Sequence, residues 1–141
     1  MTKIAAVQIT TCPNVEQNLQ SVEQQLILAA NQGAKIIALP EVFACYDSQQ
    51  YLALGQQEMD ALGSLRSRMA FWAKAHKVYL IGGTIPVLKS GSSKVYPRCY
   101  FYNDKGEELG HYDKIHLFDV DIDDAQGSYR ESDMFLSGDE V

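Results

Sequence analysis

Cysteine, basic charge and long apolar runs are all scarce in this chain of 141 residues. The three cysteines, Cys12, Cys45 and Cys99, are widely spaced and form no Cys-x-x-Cys pair, which argues against a disulfide framework and against a zinc site. Acidic side chains number 18 against 12 basic ones, so the formal charge is −6 and the surface repels phosphate backbones. We therefore expect no nucleic-acid partner.

The sequence also has no apolar segment long enough to enter a membrane. The apolar stretch Ile4–Ile9 is too short for the core of a signal peptide, and no run approaches the length that crosses a bilayer. We therefore expect no membrane partner and a cytoplasmic location. Hydrophobic residues make up 46% of the chain, enough for the core of one domain, which we assign to residues 1–141.

Strand and helix signals alternate in the first half of the chain. Lys3–Ile9, Lys35–Leu39 and Val78–Ile81 are short apolar runs, typical of strands buried on both faces. Apolar residues recur at helical spacing between Asn14, a predicted N-cap, and Gly33, a predicted C′ residue. A second apolar face at helical spacing predicts another helix, formed by Met59, Leu62, Leu65, Met69, Trp72 and His76.

The second half of the chain favours antiparallel strands. Thr84–Leu88 and Val95–Tyr102 flank a polar loop and predict a hairpin, and Glu107–Tyr112 predicts a weaker strand. The segment from Lys114 to Val141 is mostly polar and irregular, and long irregular segments of this kind usually carry function. The order of elements predicts an α/β fold with helices packed on a mixed sheet.

Glu41 follows the predicted strand Lys35–Leu39 directly after Pro40, whose missing N–H cannot continue a strand ladder. A carboxylate at this point stands on a rigid support at the rim of the sheet, as a general base requires. A solvated loop glutamate is the alternative interpretation, and position alone leaves both open.

Lys114 lies within Tyr112–Asp119 among aromatic and apolar residues and not in a charge run. A partly buried ammonium loses solvation energy unless carboxylates or a developing oxyanion compensate it. The residue is therefore either paired structurally or catalytic.

Three separated segments resemble, in order and spacing, the motifs of the nitrilase superfamily of carbon-nitrogen hydrolases. They are Leu39–Glu41, Gly82–Pro86 and Tyr112–Asp119, and the opening Ala6–Gln8 is also typical of that family. The likeness covers essentially the whole chain. The lysine motif together with Tyr129–Ser132 is most similar to the Nit branch, which includes deaminated glutathione amidase and ω-amidase.

This resemblance implies part of a four-layer α-β-β-α sandwich and a Cys-Glu-Lys triad that hydrolyses a small linear amide through a thioester. By position in the motifs, Glu41 would be the general base, Lys114 the cation that stabilises the oxyanion, and Glu131 a second glutamate that orients the lysine. No cofactor and no metal is implied. The expected partner is a small-molecule amide, with a homo-oligomer or dependence on a missing C-terminal part.

The nucleophilic cysteine is where the chain departs from the family pattern. That cysteine normally follows a stretch like Leu136–Val141, so we expect a domain truncated before the nucleophile strand, with unpaired edges and an uncovered apolar face. Cys45 superficially matches the cysteine motif, but it precedes the lysine motif and is interpreted as an unreactive thiol. A catalytically inactive fragment, or an interaction module on the amidase scaffold, is therefore the alternative function.

A metal-binding protein is the third hypothesis, suggested by the acidic run Asp119–Asp124. In the calcium-loop register that starts at Asp119, Asp124 takes the place of the invariant glycine and Arg130 that of the bidentate glutamate, so a solvated loop is favoured. His111 and His116 lack a third histidine nearby and predict a metal site only weakly.

Overall fold

The structure, a computed structural model, describes residues 1–59, 63–121 and 128–140. In these ranges the chain forms three helices and eight strands, with 3-10 turns at Ser48–Gln50 and Glu131–Asp133. The helices are α1 Val15–Asn31, α2 Tyr51–Gln57 and α3 Ser64–His76. The strands are β1 Ile4–Ala6, β2 Ile36–Ala38, β3 Tyr79–Ile81, β4 Ile85–Leu88, β5 Val95–Tyr102, β6 Glu108–Asp113, β7 Asp119–Asp121 and β8 Ser128–Arg130.

The main sheet is mixed, as predicted. Strands β1, β2 and β3 pair in parallel, and β3 then pairs antiparallel with β5. Strands β3 and β4 follow each other along one edge of β5, while β6 pairs antiparallel along the other edge. Strand β5 is therefore the long central element on which the second half of the described chain is built.

Helix α1 begins and ends where the sequence predicts. The Asn14 side chain caps the helix by accepting a hydrogen bond from the N–H of Gln17 at 3.0 Å, and Gly33 follows the C-cap residue with a φ of +87°. A side-chain oxygen at the N-cap satisfies a backbone donor that the helix leaves unpaired, and glycine adopts positive φ at little cost. Both end signals are confirmed.

Helices α1 and α3 pack side by side on one face of the sheet. Their buried side chains meet the alternate strand residues Ile37 and Leu80, and Trp72 of α3 is fully buried in the same core. The opposite face is apolar but open to solvent, since Ile4 is 65% and Tyr79 is 40% exposed. The prediction that these strands are buried on both faces is wrong for the described residues, whereas an uncovered apolar face is present.

Helix α3 starts later than the sequence pattern predicts, at Ser64 and not near Met59. The reason is Glu58, a carboxylate only 1% exposed that accepts hydrogen bonds from the backbone N–H of Leu65 at 2.8 Å and of Arg66 at 3.1 Å. The side chain therefore acts as a cap from outside the helix. Leu62, which was predicted to lie on this helix, falls outside the described residues.

The segment that was predicted to be irregular after Lys114 contains the short hairpin pair β7 and β8. Its two strands are joined by an ion pair in which Arg130 contacts Asp121 at 2.6 Å. The rest of the acidic run, residues 122–124, lies outside the described residues. No helix among those that the structure describes is both long enough and apolar enough to cross a membrane.

Candidate active site

Glu41 lies just beyond the end of β2, as the sequence predicts. The preceding Leu39 donates its N–H to the carbonyl of Ile81 on β3 at 2.9 Å, and the following Val42 donates its N–H to the Thr84 hydroxyl oxygen at 2.9 Å. Between these two anchors the Glu41 side chain leaves the sheet and is 51% exposed. The strand end thus presents a carboxylate at the rim of the fold.

Lys114 follows the last residue of β6 and is held by its backbone on both sides. Its N–H donates to the carbonyl of Pro97 on β5 at 3.1 Å, and its carbonyl accepts from the N–H of Gly138 at 2.9 Å. The side chain is 23% exposed and points to Glu41, whose Oε1 accepts a hydrogen bond from the lysine Nζ at 2.8 Å. Two of the predicted site residues therefore meet.

Glu131 is the third member of this cluster and the least exposed, at 12%. It opens the 3-10 turn after β8, and its two carboxylate oxygens accept from Lys114 Nζ at 3.2 and 2.9 Å. The same carboxylate accepts the backbone N–H of Phe118 at 2.7 Å. Glu131 is therefore fixed by a backbone donor as well as by the lysine.

The electrostatics of the cluster favour a charged lysine. Burial by itself would lower the pKa of Lys114, but hydrogen bonds to Glu131 and Glu41 outweigh this effect, and the pKa is raised above its ordinary value. The side chain of Lys114 thus lies between two glutamate side chains. Such a site can stabilise a negative charge that develops on a bound molecule through the Lys114 ammonium, and it places the Glu41 carboxylate beside that ammonium.

A cavity of about 380 Å³ opens beside the cluster. Glu41 and Glu131 lie in its wall, and Tyr51 and Phe135 contribute a pair of aromatic rings 5.3 Å apart. The other lining residues are Thr11, Val42, Tyr46 and Tyr129. A small molecule bound here would have carboxylates on one side and aromatic surface on the other.

Three further contacts support the site, and the sequence interpretation gave none of them a role. Thr84 holds the backbone after Glu41. Asp119 accepts the N–H of Ser132 at 3.0 Å, and this hydrogen bond lowers the pKa of the Asp119 carboxyl. Asp113, next to Lys114, accepts two hydrogen bonds from Arg98 across β5 and β6 at 2.6 and 2.7 Å. Sequence carries no signal for these pairs, because each joins segments separated along the chain.

Comparison with known proteins identifies the family of the chain. Residues 3–141 match the family model described as carbon-nitrogen hydrolase. The chain belongs to the carbon-nitrogen hydrolase family. Among curated members of this family it is 33% identical over 138 residues to nitrilase homolog 2 of Dictyostelium discoideum, a match that covers 97% of this chain and 41% of that protein.

Two relatives carry names of the Nit branch. The chain is 32% identical to the deaminated glutathione amidase of Synechocystis sp. strain PCC 6803, with 95% of this chain and 48% of that protein covered. It is 33% identical to the ω-amidase of Xenopus tropicalis, with 97% and 48% covered. The chain therefore spans about half the length of these curated carbon-nitrogen hydrolases, or less.

A solved structure confirms the predicted fold class. Nit3 of Saccharomyces cerevisiae, a member of branch 10 of the nitrilase superfamily, superposes with a TM-score of 0.80 at 25% identity. The match covers 99% of this chain and 49% of that chain. The chain therefore has the α/β architecture of the nitrilase superfamily, and the match spans about half of the solved chain.

None of the three cysteines is a hydrogen-bond partner of Glu41, Lys114 or Glu131 in the residues that the structure describes. Cys45 is buried, donates to the carbonyl of Pro13 at 3.5 Å, and has a pKa raised by that burial. A raised pKa disfavours the thiolate, which is the nucleophilic form. Cys99 on β5 is likewise partly buried with a raised pKa, and Cys12 lies near the start of α1.

The alternative metal site finds little support in the part of the chain that the structure describes. No group of three or more histidine, cysteine, aspartate or glutamate side chains is arranged there to hold a metal ion. Asp121 is used in the pair with Arg130, and His111 packs its ring 5.7 Å from that of Tyr100. Asp119 and Asp121, the acidic residues of this run that the structure describes, therefore make structural contacts.

Proposed function

We propose that this chain supplies the acid-base half of an amidase that hydrolyses a small linear amide through a cysteine thioester. The observation that supports it most directly is the position of Lys114 Nζ, 2.8 Å from Glu41 and 2.9 Å from Glu131. The names of the curated relatives, a deaminated glutathione amidase and an ω-amidase, favour the same reaction class. A cytoplasmic location stays a prediction from the sequence.

Glu41 is the general base of the proposed reaction. It takes the proton from the thiol of a nucleophilic cysteine other than Cys12, Cys45 and Cys99, and the sulfur then attacks the amide carbon. When the carbon–nitrogen bond breaks, the protonated Glu41 gives its proton to the nitrogen, which leaves as ammonia or an amine. Glu41 next deprotonates water, which cleaves the thioester to a carboxylate and restores the thiol.

Lys114 stabilises the negative charge that forms on the carbonyl oxygen in both tetrahedral intermediates. An ammonium carries three donors, and here they face one oxygen of Glu41 and both oxygens of Glu131. In the proposed reaction Lys114 exchanges one of these contacts for a hydrogen bond to the oxyanion. Glu131 serves as the positioning residue in this scheme. Its second anchor, the Phe118 N–H at 2.7 Å, keeps it in place while Lys114 shifts its contacts to substrate.

The test measures ammonia or amine release from a series of small linear amides by the full-length gene product. We expect Glu41→Gln and Lys114→Met each to lower kcat by about 10²–10⁴-fold, because one removes a proton carrier and the other the oxyanion cation. Glu16→Gln, an exposed carboxylate on α1, is the matched control and should leave kcat unchanged. A wild-type rate in Glu41→Gln would refute the proposed base.

The inactive-protein hypothesis makes the opposite forecast. A cooperatively folded full-length product that hydrolyses no amide of the series would favour an interaction role on the amidase scaffold. The observation that keeps this alternative in view is the exposed apolar sheet face with Ile4 and Tyr79, since faces of this kind bind other protein surfaces.

A further inference from the structure

The backbone directly after Glu41 is in a conformation that its sequence disfavours. Val42 has a φ of +54°, in the left-handed region. A β-branched side chain crowds the backbone there, so such residues are rarely found at positive φ. In folded proteins this kind of strain persists only where surrounding contacts determine the conformation, and it is concentrated at functional sites.

Two contacts hold Val42 in place. Its N–H donates to the Thr84 hydroxyl oxygen at 2.9 Å, across 42 residues of sequence, and its side chain packs beside the buried cluster of Tyr51, Val95 and Phe135. The backbone of Gly83, next to Thr84, comes so close to the carbonyl of Pro40 that an added Cβ would overlap it. The two strand ends are thus in direct contact on both sides of Glu41.

Glu41 itself has few contacts of its own. Its side chain is 51% exposed, and its carboxylate has one hydrogen-bond partner among the residues described, Lys114. Packing therefore does not fix the carboxylate. The direction in which the side chain leaves the backbone must do so, and that direction is set by the dihedral angles of Glu41 and Val42.

We propose that Thr84 is a positioning residue for the general base, acting through the strained Val42. The Thr84 hydroxyl accepts the hydrogen bond from the Val42 N–H, and this bond would be lost if Val42 relaxed to negative φ. By holding Val42 at positive φ, Thr84 keeps the Glu41 carboxylate within hydrogen-bond distance of Lys114. This inference rests on the proposed amidase function. It adds a residue that touches neither the substrate nor the reacting atoms.

The experiment compares Thr84→Val, which keeps the shape and removes the acceptor, with Thr84→Ser, which keeps the hydroxyl, in the full-length gene product. We expect Thr84→Val to lower kcat about tenfold or more with KM changed by less than about twofold, because misplacement of a catalytic group affects the chemical step. Thr84→Ser should retain a kcat close to that of the wild type. Thr2→Val, at an exposed position, is the matched control.

The outcomes separate this inference from the proposed function. If Glu41→Gln is inactive while Thr84→Val has wild-type kcat, the positioning role is refuted and the amidase proposal stands. If Thr84→Val and Thr84→Ser lose activity equally, or KM rises as much as kcat falls, the hydroxyl does not act through Glu41. If Glu41→Gln is fully active, both proposals fail together.

A second variant covers the case in which Thr84→Val does not fold. In Val42→Gly the glycine adopts positive φ without strain, but without the packed valine side chain the backbone at position 42 can also adopt other conformations. We expect Val42→Gly to melt cooperatively and to show a kcat several-fold below wild type. An unchanged kcat in Val42→Gly would overturn the inference.

Discussion

The Nζ of Lys114 lies 2.8 Å from Oε1 of Glu41, although 73 positions of sequence separate the two residues. The contact forms because β2 and β6, the strands that precede them, both end near the point where β3 gives way to β4 along β5. The carboxylate and the ammonium thus follow two strands that are far apart along the chain but belong to the same sheet.

The titration of Lys114 should depend on Glu131. Both carboxylates raise the pKa of Lys114, so Glu131→Gln, which removes one of them, should lower that pKa. In the wild type the ion pairs of Lys114 with Glu131 and Glu41 stabilise the fold fully below the pKa of an unfolded lysine. This stabilisation is lost as the pH rises through the higher pKa of Lys114 in the folded protein. The alkaline edge of stability should therefore move to lower pH in Glu131→Gln.

The measurement is the ¹³C chemical shift of the lysine Cε followed by NMR through the alkaline range, with thermal melts at the same pH values. Glu107→Gln, an exposed carboxylate in the turn before β6, is the control and should leave the titration of Lys114 in place. A Lys114 midpoint that does not move in Glu131→Gln would contradict the ion pair.

Glu58 should contribute to stability and not to chemistry. Glu58→Ala leaves the N–H groups of Leu65 and Arg66 without their buried acceptor, and loss of such a cap costs about 1–3 kcal/mol in the free energy of unfolding. Denaturant unfolding of the full-length product measures the loss, while KM for the amide should be unchanged.

Glu58→Gln provides the comparison, since it keeps one carbonyl oxygen and should lose less stability than Glu58→Ala. Gly63→Ala should also destabilise the start of α3, because the added methyl group would overlap the Glu58 carboxylate. Wild-type stability in Glu58→Ala would show that water replaces the carboxylate at the helix start.

Residues 1–141 expressed alone should self-associate. The open sheet face carries Ile4, Tyr79 and Ile81, which are 65%, 40% and 38% exposed, and β1 has an unpaired edge within the described sheet. Apolar faces and free strand edges both promote association. Sedimentation velocity should show oligomers or aggregates, and Tyr79→Lys with Ile81→Lys should reduce them. A monodisperse wild-type monomer with a cooperative melt would contradict this prediction.

The sequence predicts best those elements whose signals are local. Helix α1 carries its own cap residues, Asn14 and Gly33, and is recovered at its bounds. The strand predicted over Lys35–Leu39 is observed over Ile36–Ala38, so it is one residue shorter at each end and stops two residues before Pro40. Helix α2 was not predicted. It packs Gly55 so closely against Leu88 of β4 and Val95 of β5 that its formation depends on these strands, whose contacting residues lie 33 and 40 positions further along the chain.

The site illustrates the same division. A strand end marked Glu41 as unusual, and aromatic and apolar neighbours marked Lys114. Each residue also had a structural interpretation, and only the resemblance to a family joined them. Their meeting with Glu131 is a long-range property that no window of sequence contains. Thr84 lies within the motif Gly82–Pro86, but the sequence did not predict a positioning role for it, because that role depends on the positive φ of Val42, which valine disfavours.

Insertions should be tolerated differently within strand β5 and in the loop that precedes it. Through Val95 it pairs with the segment that follows Glu131, through Pro97 it binds the backbone of Lys114, and through Tyr102 it pairs with β3, which anchors the chain before Glu41. One extra residue between Pro97 and Tyr102 would displace these attachment points by about 3.3 Å and exchange the two faces of the strand. The hairpin loop before β5 holds none of these attachment points. Changes in length should therefore be tolerated at Ser90–Ser93 and should disrupt the fold within the strand.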